Sequence, residues 1–395
     1  MATTDIRTEQ EAEVDERLDR LLSENDPKGD RASFLRSQFD LGLAWVQFPV
    51  GLGGLDMAPA LQARIDERLD VATPHRPRSI DVLGHGMGAP MLIAHGTREQ
   101  QDRWLGPMFA GEEIWCQLFS EPGAGSDLAG LATRAVRDGD EWVVNGQKVW
   151  TTAAHVARWG MLVARTDPDL PKHKGLSYFI MDMEAPGVEV RPLRQMTGEA
   201  EFNEVYMTDV RIPDGNRIGD VGDGWRVALT TLMNERVAIG GRMSERGEGF
   251  IGELVAVWQH SARDPARRDD LMRLWVEAEA ARLTNMRAAQ NRVAGTPGPE
   301  GSTAKLVYAE LNKKIFELAT DLMGPEAMLY DSYQMTQPEP GVEANSDVRR
   351  RFLRTRANSI EGGTSEIMKN ILGERVLGLP GEPRVDKDIP WKASR

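Results

Sequence analysis

The apolar residues of this chain change period twice, which restricts the fold to a helical segment, a β segment and a second helical segment in series. Over residues 9–22 the sequence is highly charged, with Val14, Leu18, Leu21 and Leu22 three or four apart as the inward stripe of one surface helix. A glycine-rich break at 48–54 precedes helical stretches at 60–69 and 97–109, and Thr97 before Glu99 reads as a helix start. Residues 141–150 then place β-branched and aromatic side chains around Asn145-Gly146, which predicts a hairpin there. Strand-like runs follow at 160–164, 176–181, 188–193 and 204–210. Their spacing predicts a small β barrel or sandwich. Helical periodicity returns over 225–239, 268–293, 304–323 and 347–377, four long helices that predict a bundle. The expected fold class is α+β and multidomain: an N-terminal helical domain over 1–113, a middle β-barrel or sandwich domain over 114–222, and a C-terminal four-helix bundle over 223–395. Segments 295–299 and 337–341 read as connecting loops. The polar tail 381–395 is expected to be disordered or to lie on a neighbouring subunit.

Composition removes several classes of function. With 61 acidic against 48 basic residues the net charge is -13, the wrong sign for a nucleic-acid surface or an anionic membrane. One cysteine, Cys116, allows no intrachain disulfide, zinc cluster or iron–sulfur centre, and fits a cytoplasmic protein. The six histidines show no i, i+4 spacing with a glutamate, so no metal is expected. The acidic start has no apolar core, and no run of about 18 apolar residues appears, so neither export nor a membrane span is expected. The stretch 295–303 lacks the Gly-Lys pair of a phosphate loop.

The loop from Ser120 to Gly130 is more informative. Its glycines at 123, 125 and 130 miss the spacing of a dinucleotide-binding turn. Gly123 and Gly125 would instead let successive N–H groups curl inward beside the Ser126 hydroxyl, a nest suited to pyrophosphate. An ordinary Gly-Pro turn is the alternative. Taken together, 120–130, Asn145-Gly146-Gln147-Lys148-Val149-Trp150-Thr151-Thr152 and Ile360-Glu361-Gly362-Gly363-Thr364-Ser365-Glu366-Ile367 closely resemble the three signature segments of acyl-CoA dehydrogenases, in order and spacing. The likeness extends over about 43–380.

That resemblance implies FAD bound between the β domain and the bundle. It implies flavin contacts at Gln117, Phe119, Ser120, Gly125, Ser126, Trp150, Thr151, Thr152, Thr364 and Glu366. Trp150 would pack beside the isoalloxazine, and Thr152 would hydrogen-bond near N5. Ser126, Arg236 and Gly362 would contact an acyl-CoA substrate, with the Gly362 N–H donating to the thioester oxygen. The implied reaction is α,β-dehydrogenation to the trans-2-enoyl-CoA, as in fatty acid β-oxidation, with electrons leaving to an electron-transfer flavoprotein. The implied assembly is a homotetramer or a mixed tetramer with a related subunit. Two other readings stay open: a non-catalytic or co-catalytic subunit of such a mixed tetramer, and a related flavin oxidase or monooxygenase. The chain departs from the family at 250–262, which lacks Arg-x-x-Phe-Gly, and at Asp321-Leu322-Met323-Gly324-Pro325, where Gln-x-x-Gly-Gly is usual. In the family those segments hold the adenosine half of FAD across a subunit interface, and which residues do so here stays open.

The catalytic base is a choice between two glutamates. Aligning Gly363-Thr364 with the family's Gly-Thr pair puts Gly362 where many members carry the base, and Glu361 one residue away. Other members place it on the first bundle helix before an arginine, and Glu235-Arg236 fits that pattern. Helical spacing surrounds position 235 with Ala228, Thr231, Leu232, Ala238 and Ile239. A lone carboxylate there would be raised in pKa by desolvation, which suits a base for a carbon acid. Glu235 is the expected base.

Overall fold

The computed structural model describes residues 2–75, 81–240, 245–293, 300–330, 332–338, 347–383 and 385–394, excluding the side chains of 2–8, 235–240, 292, 293 and 300. Its N-terminal layer contains α1 (Ala2–Glu24), α2 (Arg31–Asp40), α3 (Leu61–Ala72), α4 (Ala89–His95) and α5 (Arg98–Ala110). The stripe of α1 is buried as expected, with Val14, Leu18 and Leu21 all at 0% exposure in a core that includes Phe34 and Leu35. Thr97 caps α5: its hydroxyl accepts from Gln100 N, while Thr97 N donates to the Gln100 side chain at 2.9 Å. That reciprocal box satisfies donors left over at a helix start.

The middle layer is a mixed sheet of β1 (Trp115–Leu118), β2 (Arg134–Asp138), β3 (Glu141–Thr152), β4 (Trp159–Arg165), β5 (Leu176–Asp182), β6 (Val188–Leu193), β7 (Phe202–Pro213) and β8 (Arg217–Ile218). The order is β6-β7-β3-β2-β4-β5-β8, with β1 parallel to β4. Strands β2 and β4 meet at the single pair Arg134↔Arg165. The sheet thus divides into two wings that share one core, drawn from Leu118, Trp142 and Val144 with Leu162, Phe179 and Met181. The hairpin expected at Asn145-Gly146 does not form, because β3 continues through it and pairs with β7 on both sides of a register shift at Asn145. Asn145 instead exchanges hydrogen bonds with Asp209 on β7, at 2.9 and 3.0 Å. Gly146 is needed for close approach: a Cβ there would meet the Thr133 hydroxyl at 2.2 Å. Pairing over a long strand outweighs a two-residue turn preference.

The C-terminal layer contains α6 (Gly224–Gly240), α7 (Phe250–His260), α8 (Pro265–Val293), α9 (Glu300–Met323), α10 (Val348–Thr355) and α11 (Ser365–Arg375). Helix α9 is central and packs on α6, α7, α8, α10 and α11. Ile315, Phe316 and Ala319 supply its core face. Two expectations need correction. The stretch 347–377 is two short helices broken at Gly362 and Gly363, whose φ angles of 62° and 93° no right-handed helix accommodates. The tail is ordered on its own chain, since Pro390 bridges to Pro171 and Trp391 N donates to Leu170 O at 2.9 Å. The connector 295–299 and residues 339–341 lie outside the described residues.

Candidate active site where sheet and bundle meet

On the sheet side, the loop after β1 is tied to β3. Val149 N donates to Ser120 O at 2.9 Å, and the Lys148 ammonium donates to Phe119 O at 3.0 Å and to Glu121 Oε1 at 2.9 Å. Lys148 and Glu121 are buried, and Glu121 also accepts from Ala132 N at 2.6 Å and Thr133 N at 2.9 Å. Burial alone would raise the Glu121 carboxyl; the ammonium and these N–H donors outweigh it and hold it below the usual carboxylate range. Every strong partner of the pair is inside the loop that it shapes. Gly123 and Gly125 do not adopt the left-handed curl expected of a nest. A Cβ at either would meet nothing within 4 Å, so what they leave is open space beside exposed Ser126.

At the end of β3 the register with β7 shifts between Lys148 and Thr151, where Val149 and Trp150 together oppose the single residue Glu204. Trp150 has φ of 62°, costly for a bulky side chain, and is 57% exposed, touching Phe202 edge-on at 5.9 Å between centroids. A strained backbone that presents a large aromatic to solvent marks a place built for a ligand. Nearby, Gln117 Nε2 and the hydroxyl of fully buried Thr151 have no hydrogen-bond partner among the described residues. Buried polar atoms without partners are rare, and these two await one. Thr152 pairs with Phe202 and is half-buried.

On the bundle side, the Gly362-Gly363 turn leads into α11, whose first N–H groups are capped by the Thr364 hydroxyl accepting from Ile367 N at 3.1 Å. Glu366 is exposed in the first turn. The Gly362 N–H has no acceptor among the described residues. Behind the turn, buried Lys305 from α9 donates to Asn358 O at 2.9 Å and to Gly363 O. Glu361 is committed elsewhere: it accepts from Arg354 at 3.0 Å and from Asn358 Nδ2 at 2.6 Å. Arg354 also binds Glu201 of the sheet layer at 3.2 Å and lies 5.5 Å from the Phe202 ring centroid. Trp150, Phe202, Arg354 and Glu361 therefore form an unbroken series of contacts that sets the strained strand beside the glycine turn.

The same three-part chain recurs in known proteins. It matches the acyl-CoA dehydrogenase N-terminal domain over residues 2–112, the middle domain over 116–210 and the C-terminal domain over 222–377. The chain belongs to the acyl-CoA dehydrogenase family. Acyl-CoA dehydrogenase FadE34 of Mycobacterium tuberculosis is 43% identical over 344 residues, covering 86% of this chain but only 45% of that longer relative. Acyl-CoA dehydrogenase IpdE1 of the same species is 39% identical over 350 residues, 87% of this chain and 86% of the relative. The solved Tcur3481-Tcur3483 steroid ACAD superposes with a TM-score of 0.70 at 26% identity, over 96% of this chain and 98% of that one.

Acyl-CoA dehydrogenases are FAD-dependent oxidoreductases acting on CH–CH bonds, and this chain is one of them. The described residues fit the flavin: orphaned Gln117 and Thr151 offer donors, Trp150 a ring face, and the 123–126 loop open space. The structure joins Phe119, Ser120 and Trp150 through β3, and Gly362 and Thr364 through the α11 turn. Glu235 and Arg236 lie on α6, which packs against α9 and α4; their side chains are outside the described residues. Gly125 and Ser126 stand exposed. Lys148, Lys305 and Arg354 escaped the sequence reading. Only Lys148 left a signal there, as a lone cation in an otherwise strand-like run.

Proposed function

We propose that this acyl-CoA dehydrogenase removes the α proton and β hydride of an acyl-CoA thioester, giving the trans-2-enoyl-CoA and passing electrons to an electron-transfer flavoprotein. The observation that carries this reading is the contact series from Trp150 to Glu361, which sets the flavin strand beside a glycine turn with an unused N–H. Bound FAD supplies the hydride acceptor. Glu235 takes the α proton: it follows Thr231 by one turn of α6, and the neighbours Ala228 and Thr231 are at 0% exposure. A desolvated carboxylate at that position would favour its neutral acid and so act as a stronger base. The Gly362 N–H donates to the thioester oxygen as negative charge grows on it, a backbone donor that moves little during reaction. Arg236 and Ser126 hold the substrate. Glu361, gripped by Arg354 and Asn358, acts as a structural link.

The likeness to a steroid ACAD favours a bulky acyl group carried on a ring system over a plain fatty acyl chain. Helix α8 leaves Met272, Val276, Leu283 and Met286 exposed along one stripe, which supports assembly through the bundle as a homotetramer or with a related subunit. Among the described residues no helix is long and apolar enough to cross a membrane.

The test is anaerobic titration of the purified protein with acyl-CoAs of straight-chain, branched and steroid side-chain type, following flavin absorbance. Bleaching by the steroid type in particular is expected, and Glu235→Gln should keep FAD while slowing reduction by about three orders of magnitude or more. A flavoprotein that no acyl-CoA reduces would overturn the proposal.

A further inference from the structure

The C-terminal segment was not expected to touch the site, yet it closes over the far end of the 120–130 loop. Arg165, 3% exposed, donates to Ala129 O at 2.6 Å and to Leu131 O at 3.1 Å, fixing the carbonyls where that loop ends. The Trp391 indole lies over this guanidinium, 4.3 Å from ring centroid to Cζ, and its Nε1 donates to Gly130 O at 3.2 Å. Trp391 and Lys392 donate backbone bonds of 2.9 and 3.1 Å to Leu170 O and Pro168 O, so the segment is laid along the 165–175 connection. Lys172 completes the arrangement. Its ammonium is shared between Asp127 at 2.9 Å and Asp386 of the tail at 2.6 Å.

Asp127 is the residue next to Ser126, and its negative charge would repel a phosphate bound there. Lys172 cancels that charge, and Asp386 holds Lys172 in place. The indole shields Arg165 from water, which strengthens the bonds that Arg165 makes to the loop. The leading end of the loop is already fixed by Glu121 and Lys148. We propose that residues 385–394 are a strap that fixes its trailing end, with Trp391, Lys172 and Arg165 as positioning residues that keep the loop shaped for a pyrophosphate. The inference rests on the reading of this loop as a phosphate site, and the pyrophosphate is that of FAD or of coenzyme A.

Three proteins decide it: the full chain, a chain ending at residue 383, and the double variant Asp386→Asn/Trp391→Ala in case the shortened chain does not fold. Circular dichroism melting checks the fold. Flavin fluorescence gives the rate of FAD release after dilution, and calorimetry gives the affinity for coenzyme A. Loss of one cation–π contact, one hydrogen bond and the Lys172–Asp386 ion pair should speed FAD release or weaken coenzyme A by about tenfold in a folded variant. Which of the two changes identifies the pyrophosphate. Folded variants with unchanged FAD release and unchanged coenzyme A affinity sink the strap alone. A full-length chain that binds neither FAD nor coenzyme A sinks the phosphate-site reading, and the strap with it.

Discussion

Each side of the candidate site is backed by a buried lysine, and the two are held in different ways. Lys148, behind the loop after β1, meets the carboxylate of Glu121. Lys305, behind the glycine turn, donates to the carbonyls of Asn358 and Gly363. Two carboxylates show the same contrast. Glu121 faces an ammonium and stays below the usual carboxylate range, whereas Asp81, under β1, accepts from Gly84 N at 2.7 Å and Trp115 N at 3.0 Å, and burial pushes it up to about 7. A buried charge met by an opposite charge stays ionised and ties two segments together. Asp81, met by backbone dipoles, is poised and can be neutralised at modest cost.

The largest effect should come from breaking the sheet-side pair. Lys148→Met leaves the Glu121 carboxylate buried without its cation, at a cost of about 3–5 kcal/mol in unfolding free energy, and the protein should purify without flavin. Adding Glu121→Gln should recover a large part of that stability in denaturant titrations. No recovery would mean that Lys148 acts by packing.

A smaller effect follows from the poised carboxylate. The folded pKa of Asp81 lies above its unfolded value of 3.8, so its contribution is fully present below 3.8 and is lost as pH rises through about 7. Asp81→Asn should therefore flatten a fall in stability of a few kcal/mol between pH 4 and 7, seen as a melting temperature that no longer declines. Glu121 has the opposite sign: its folded pKa is depressed, so its contribution is present above 4.5 and lost on acidification. Identical pH profiles for Asp81→Asn and the parent would end the contrast.

On the bundle side, Lys305→Met should remove about 2 kcal/mol from turn positioning, slowing flavin reduction by roughly thirtyfold at saturating acyl-CoA while FAD retention is unchanged. A fall in FAD binding instead would make Lys305 a general structural residue. Least affected should be Glu361→Gln, which keeps a hydrogen-bonding partner for Arg354 and Asn358 and should change the reduction rate by no more than about threefold. If it abolishes reduction while Glu235→Gln stays active, the base has been misassigned.

What could be read in advance was local. The helical stripe of α1 and the Thr97 cap each depend on residues within a few positions, so propensity and spacing carry them. The failure at Asn145-Gly146 was also local reasoning, overridden when β7 offered β3 a partner on both sides of that pair. Nothing near Trp150 in sequence announced that its backbone would be strained, because the bulge exists only relative to β7.

The sequence by itself determined the order of helical and β segments, the acidic surface, and the short motifs whose spacing identifies the family. Only the tertiary structure decided what stands behind those motifs. Lys148 reaches Glu121 across 27 residues, Lys305 reaches Gly363 across 58, and Trp391 reaches Gly130 across 261. Hydrophobic periodicity reports which face of an element turns inward, and it is a property of neighbours in the chain. A buried charge reports instead on its partner, and the partner is chosen by how the layers pack, which no single segment contains.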